Sequence, residues 1–132
     1  MRNQPQNKSL GIFYVRYLLG QRLQREAVAQ LDKMTRQWPQ DGEIVLLAAL
    51  VSIDQQRPLD AEKYLLQLLT QEAYIDQAYY YLGVNAERLN RPEVAEIYFK
   101  KVQQDDLYRQ AQQKLALLRV AYGRLQEALA AL

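Results

Sequence analysis

Few residues in this chain are of a type that does chemistry. Glu93 and Glu96 stand three positions apart, and Asp105 and Asp106 are adjacent. Paired carboxylates can share general acid and general base roles, but only across a cleft that holds them apart. Glu93 and Glu96 fall on the polar side of a helical pattern. Asp105 and Asp106 fall where a loop meets a helix start, a place where acids favour the helix terminus. The serines are Ser9 and Ser52, and neither lies in a nucleophile-elbow motif. The chain has no histidine and no cysteine, which removes Ser-His-Asp and Cys-His catalysis and the usual zinc, copper and haem ligands. Its glycines are isolated, so no phosphate-cradling loop is formed. The chain is read as non-enzymatic, with no cofactor and no metal.

What remains is chemistry of contact. Tyr79, Tyr80 and Tyr81 stand in a row, and successive residues on a helix diverge by about 100°, so they cannot all face one core. The elements that position them must be helices, because glycine is scattered and only 4 prolines occur in 132 residues. Hydrophobic residues are 49% and charged residues 24% of the chain, an ordinary balance for a globular domain of one core. The net charge of +2 is spread along the chain, without the concentrated basic stripe of a nucleic-acid binder. No apolar run reaches the ~18 residues of a membrane span. The opening MRNQPQNKSL lacks the apolar middle of a secretory signal and reads as a disordered polar tail over residues 1–8. A cytoplasmic location fits, and so does a periplasmic one if a signal was trimmed from the parent.

A repeat organises the rest. RPLDAEKYLLQLL from Arg57 aligns with RPEVAEIYFKKV from Arg91, matching Pro58 with Pro92, Ala61 with Ala95, Tyr64 with Tyr98, and Leu65 with Phe99. The offset is 34 residues, and the same step back from Ala61 reaches Ala27, followed by Leu31 and Met34. A step of 33 forward from Ala95 reaches Ala128, with Leu132 in the Phe99 position. Each copy carries two helical patterns. Pro58 and Pro92 suit the first turn of a helix, and Asp41 suits an N-cap. Glu96 and Lys100 stand at a favourable i,i+4 spacing. Helices are expected over 9–22, 25–37, 42–54, 58–71, 75–89, 92–104, 108–122 and 125–132.

These residues resemble the tetratricopeptide repeat, a family of 34-residue antiparallel helix pairs. The third copy carries the resemblance best, in Tyr79, Leu82, Gly83, Ala86, Ala95 and Phe99. The second supplies Val45, Ala48, Ala49, Ser52, Ala61 and Leu65, and the fourth Leu115, Ala116, Gly123, Ala128 and Leu132. The first matches through Ala27, Leu31 and Pro39, but Val15 stands where glycine or alanine is usual, so looser or shifted packing is expected there. The resemblance covers residues 9–132. It implies an all-α fold, an α-α superhelix (right-handed solenoid) of about four hairpins over residues 8–41, 42–75, 76–108 and a truncated 109–132.

The resemblance also implies a function, a non-catalytic scaffold that binds a peptide or protein segment in a concave groove lined by the first helices. Its groove positions fall on Ile12 and Arg16 in the first copy, and on Leu46, Leu50 and Ile53 in the second. In the third they are Gln77, Tyr80, Val84 and Glu87; in the fourth, Gln110, Gln113, Leu117 and Val120. Leu46, Leu50, Tyr80, Val84 and Leu117 are the expected contact residues, and Tyr79 is expected in the core. Some members of the family clamp a C-terminal carboxylate with Lys and Asn. Those donors are missing at Ile12/Arg16, Leu46/Leu50, Tyr80/Val84 and Gln113/Leu117, so a buried carboxylate would go unpaired and no such tail is expected. An alternative is that the groove is covered by the chain of a larger, bacterial-style repeat protein. RNA binding is a weaker reading, since the basic residues spread over several faces. The apolar C-terminal edge near Leu117, Leu118 and Leu129 suggests self-association.

Overall fold

The computed structural model describes residues 5–132, and of Pro5, Gln6 and Asp105 the backbone alone. The described residues form seven α-helices and one 3₁₀ turn, with no strand among them. They are α1 (Pro5–Gly20), α2 (Gln24–Gln37), α3 (Gly42–Asp54), α4 (Pro58–Leu68), α5 (Ile75–Arg88), α6 (Pro92–Lys100) and α7 (Asp105–Ala130), with the 3₁₀ turn at Glu72–Tyr74. Neighbouring helices pack in pairs, α1 on α2, α3 on α4 and α5 on α6. The chain divides into two compact units, one ending at Gln71 and one beginning at Glu72.

The period of the sequence is repeated in the backbone. Arg22, Gln56 and Asn90, spaced by 34 residues, are the non-glycine residues with positive φ, at 60°, 59° and 59°. A left-handed conformation costs such residues roughly 1–2 kcal/mol. Each turn offsets that cost with the same pair of bonds. The N–H groups of Leu23, Arg57 and Arg91 donate back to the carbonyls of Leu18, Ser52 and Ala86 at 2.8, 2.8 and 2.9 Å. This is the long bond that closes a Schellman-type helix end. The carbonyls of the same three residues then accept from the N–H groups of Ala27, Ala61 and Ala95, each at 3.0 Å, which starts the second helix. One residue thus ends one helix and opens the next. Pro58 and Pro92 are the first residues of α4 and α6, as expected.

The cores follow the register. Ala27, Ala61 and Ala95 are fully buried, and so are their partners in phase, Leu31, Leu65 and Phe99, and then Met34, Leu68 and Val102. Facing positions on the first helices are Val15, Ala49 and Gly83, all buried. Their sizes fall as the second helix's residue grows, from Val15 with Leu31 to Gly83 with Phe99. Val15 is therefore a well-packed core residue of the first hairpin, contacting the cluster of Leu18, Leu31, Met34 and Ala48.

The fourth hairpin does not form. α7 runs unbroken for 26 residues through Gly123, where a turn and a separate helix over 125–132 were expected. In the second and third hairpins a proline opens the new helix and is incompatible with continuation of the old one. Leu125 stands at that place in the fourth, where the straight helix is sterically allowed; Gln24 stands there in the first hairpin, which turns, so the missing proline permits the continuous helix without dictating it. Ala128, expected to be buried like Ala61 and Ala95, is exposed.

Residues 5–8 of the expected disordered tail are helical, while residues 1–4 lie outside the described residues. Lys8 explains the order locally. Its Nζ lies 2.8 Å from Asp41 Oδ2 and 3.2 Å from Glu43 Oε1. The hydrogen bond to Asp41 raises its pKa above the ordinary lysine value, against a smaller opposing effect of burial. Asp41 also caps α3 as expected, accepting from the N–H groups of Glu43 and Ile44 at 3.1 and 3.2 Å.

In the second unit a long-range cap sets the start of α7. Asp76 is 8% exposed, and its carboxylate accepts from the N–H groups of Gln103 and Gln104 at 3.2 and 2.9 Å. The oxygens bond backbone donors just ahead of α7, which begins at Asp105, so that Asp105 and Asp106 fall at the helix start as expected. Hydrogen bonds to a charged group contribute about 1.5–3 kcal/mol each. Asp76→Ala is expected to cost about 2–3 kcal/mol in urea unfolding. Unchanged stability would remove this account of the α5–α7 packing.

Candidate functional site

The expected site residues lie on α1 and α3 of the first unit and on α5 and α7 of the second, and each unit places its own. On α1, Ile12 packs partly against the core of the first hairpin, and Arg16 is exposed. On α3, a helix apolar nearly all round, Ile44, Val45, Ala48 and Ala49 turn inward. Leu46 and Leu50 keep part of their surface open. Ile53 is buried, so its side chain belongs to the packing and not to a free contact face.

In the second unit, α5 is covered on two sides, by α6 and by α7. This decides the fate of the three tyrosines. Tyr80 is 8% exposed, where an open groove contact was expected. Its ring centroid lies 5.7 Å from that of Phe99 and 5.2 Å from that of Tyr81, the latter edge-on. It belongs to the cluster that includes Ala111 and Leu115 of α7. Tyr80 is therefore a core residue. Tyr79, expected in the core, sits partly open, 6.3 Å from the Tyr98 ring and with the Lys101 ammonium 5.8 Å from its own ring centroid. Burial pushes the Tyr81 phenol pKa up, and the neighbouring Tyr80 adds to the shift.

Val84 on α5 is partly open and remains a candidate contact. Glu87 pairs with Lys114 of α7 at 3.5 Å. Gln77 is partly buried, and its Oε1 is buried without a hydrogen-bond partner. On α7, Gln110 and Gln113 are exposed, as are Leu117 and Val120 at 67% and 50%.

The residues first considered for catalysis have structural partners or open surroundings. Ser52 is buried and its hydroxyl donates to the Ala48 carbonyl at 2.8 Å. Glu96 pairs with Lys100 at 3.2 Å, as its spacing implied, and Glu93 is exposed. Among the described residues, no group of three or more Asp, Glu, His or Cys side chains could hold a metal ion. No helix of the described residues is long and apolar enough to cross a membrane.

One cavity of the first unit was not anticipated. It holds about 380 Å³ between α2, α3 and α4, above a floor that includes Leu31, Val45 and Ala48. Its rim carries Arg36, Lys63 and the pair Arg57–Asp60, joined at 2.7 Å. Both signs of charge line it, and its Gln67 amide donates to the Pro39 carbonyl at 2.7 Å, a bond that ties α4 to the loop before α3. Its residues are drawn from three helices and their connections between Val28 and Gln67, which left no local motif to find.

The scan against protein-family models matches no family to this chain, and the search of curated proteins finds no match.

Proposed function

We propose that the chain is a non-catalytic protein-interaction module of the tetratricopeptide type, a right-handed superhelical array that binds an extended peptide or protein segment along its first helices. The observation that carries this reading is the surface left open on the first helices. Leu50, Val84 and Leu117 recur at one matched position and Ile12 and Leu46 at another, and each keeps apolar surface at least partly open, while Tyr80 in the second register is buried and Arg16 in the first is charged. The matched residues of the second helices, Leu31, Leu65 and Phe99, are spent on the core. Contiguous open apolar side chains mark an interaction surface, and Leu46 and Leu50 in the first unit and Leu117 and Val120 in the second are the ones left open here.

Leu46, Leu50, Val84 and Leu117 are the contact residues of this reading; Tyr80 and Ile53 act through the core. The ligand is not an acidic C-terminal tail, because the ammonium and amide donors that clamp one are missing from the register. Peptides selected from a displayed library against the chain are the probe. Leu117→Asp is expected to weaken a selected peptide about tenfold or more while leaving stability within about 0.5 kcal/mol, as for an ordinary surface change. Affinity should change little with salt. A steep fall with salt would indicate phosphate contacts and an RNA ligand instead. Unaltered affinity in both Leu117→Asp and Leu50→Asp would remove the proposed face.

A further inference from the structure

We propose that Gly123 is a hinge at which α7 opens, so that residues 124–132 fold back as the second helix of a fourth hairpin. Register is the first argument. The 33-residue step that carries Ala95 to Ala128 carries Asn90 to Gly123, Arg91 to Arg124, Gly83 to Ala116 and Phe99 to Leu132. Asn90 is the third of the three left-handed turn residues, after Arg22 and Gln56. The first three turns hold that conformation with a side chain that disfavours it. The fourth has glycine there, which enters the left-handed region without steric cost. Arg124 then stands where Leu23, Arg57 and Arg91 donate their N–H groups back to the preceding helix.

Surface agrees with the register. Leu125 and Leu129 are exposed on the straight helix, and Leu132 is exposed beyond its end. A cavity of about 300 Å³ lies beside the hinge, lined by Pro92, Glu93 and Glu96 of α6 and by Leu118, Tyr122 and Gly123 of α7. Folding back sets the segment beside α6 and the first half of α7, with Leu132 over Ala116 as Phe99 lies over Gly83. The occupant of that groove is thus the chain's own last segment.

Cysteine is absent from the sequence, so Gln112→Cys with Ala130→Cys places two spin labels on the full chain at will. In the straight helix the two backbones stand about 27 Å apart. In a closed hairpin the two helices lie about 8–10 Å apart, and the labels come close. The expected result is a short-distance population that Gly123→Ala reduces about tenfold or more, because alanine favours the straight helix and resists the left-handed turn. Alanine fits the straight helix without a clash, since no atom lies within 4 Å of a Cβ built on Gly123. A long distance alone in the unsubstituted chain would overturn the proposal. So would a short distance that vanishes on dilution with unlabelled chain, which would assign the segment to a second copy. A short population unmoved by Gly123→Ala would overturn the hinge.

Discussion

Replacing Gly83 by leucine is expected to destabilise the second unit by about 3 kcal/mol or more, the upper range of core overpacking. The cause lies in three distances. A Cβ built on Gly83 would stand 2.5 Å from Phe99 Cε1 and 2.7 Å from both Cδ1 and Cζ. Those atoms belong to a ring that is fully buried, so it cannot step aside without moving α6. Leucine gains about 0.8 kcal/mol over glycine in helix propensity, too little to offset the clash. Gly83→Ala should already be destabilising, and Phe99→Leu in the same chain should recover part of the loss, a coupling expected only between residues in contact. Gly11→Ala is the control. Its new Cβ would meet the tip of Met34, Cε at 2.8 Å and Sδ at 3.0 Å, which can rotate away. Stability there should hold or rise slightly. Urea denaturation measures all four variants, and a neutral Gly83→Leu would show that α5 and α6 do not approach at this point.

Phe99→Ala is expected to cost about 3–5 kcal/mol, the range for removing a buried aromatic ring. The ring fills the space left open by Gly83 and packs on Tyr80, so its removal leaves a cavity next to a glycine that has no side chain to fill it. Leu65 is the equivalent residue of the second hairpin, in register with Ala49, and Leu65→Ala should cost less than Phe99→Ala because a smaller volume is removed. Thermal unfolding should place the Phe99→Ala midpoint on the order of 10 °C or more below that of the parent chain. A loss under about 1 kcal/mol would mean that the third hairpin is not packed through this ring.

Both residues were legible in the sequence, and the reasons are physical. A small residue facing a large one across a helix pair leaves a composition mark at a fixed spacing, and Ala27, Ala61 and Ala95 kept that mark through three copies. Pro58, Pro92 and Asp41 announced helix starts because each has a local stereochemical preference. The turns themselves were not legible. Arg22, Gln56 and Asn90 share a conformation but not a residue type, since the bonds around them supply what glycine would otherwise supply. Tyr80 was misplaced because periodicity reports the direction of a side chain, not which neighbouring helix arrives to cover it. α7 comes from residues after Asp105 and covers the side of α5 that a single hairpin would leave open. Asp76 reaches Gln103 and Gln104 across 27 and 28 positions, beyond any capping signature of the local chain. Gly123 stands in register with the three turn residues, yet α7 continues through it as helix, so register alone did not fix a turn there.

The whole account depends on one hairpin geometry recurring in phase, and its most direct test is the backbone of the three turns in solution. The three-bond amide-to-α-proton couplings and Cα shifts of the full chain should place Arg22, Gln56 and Asn90 alike in the left-handed region. The amides of Leu23, Arg57 and Arg91 should be protected from exchange by their bonds to Leu18, Ser52 and Ala86. Right-handed helical values at any one of the three, or positive φ at positions out of step by a residue or more, would contradict it.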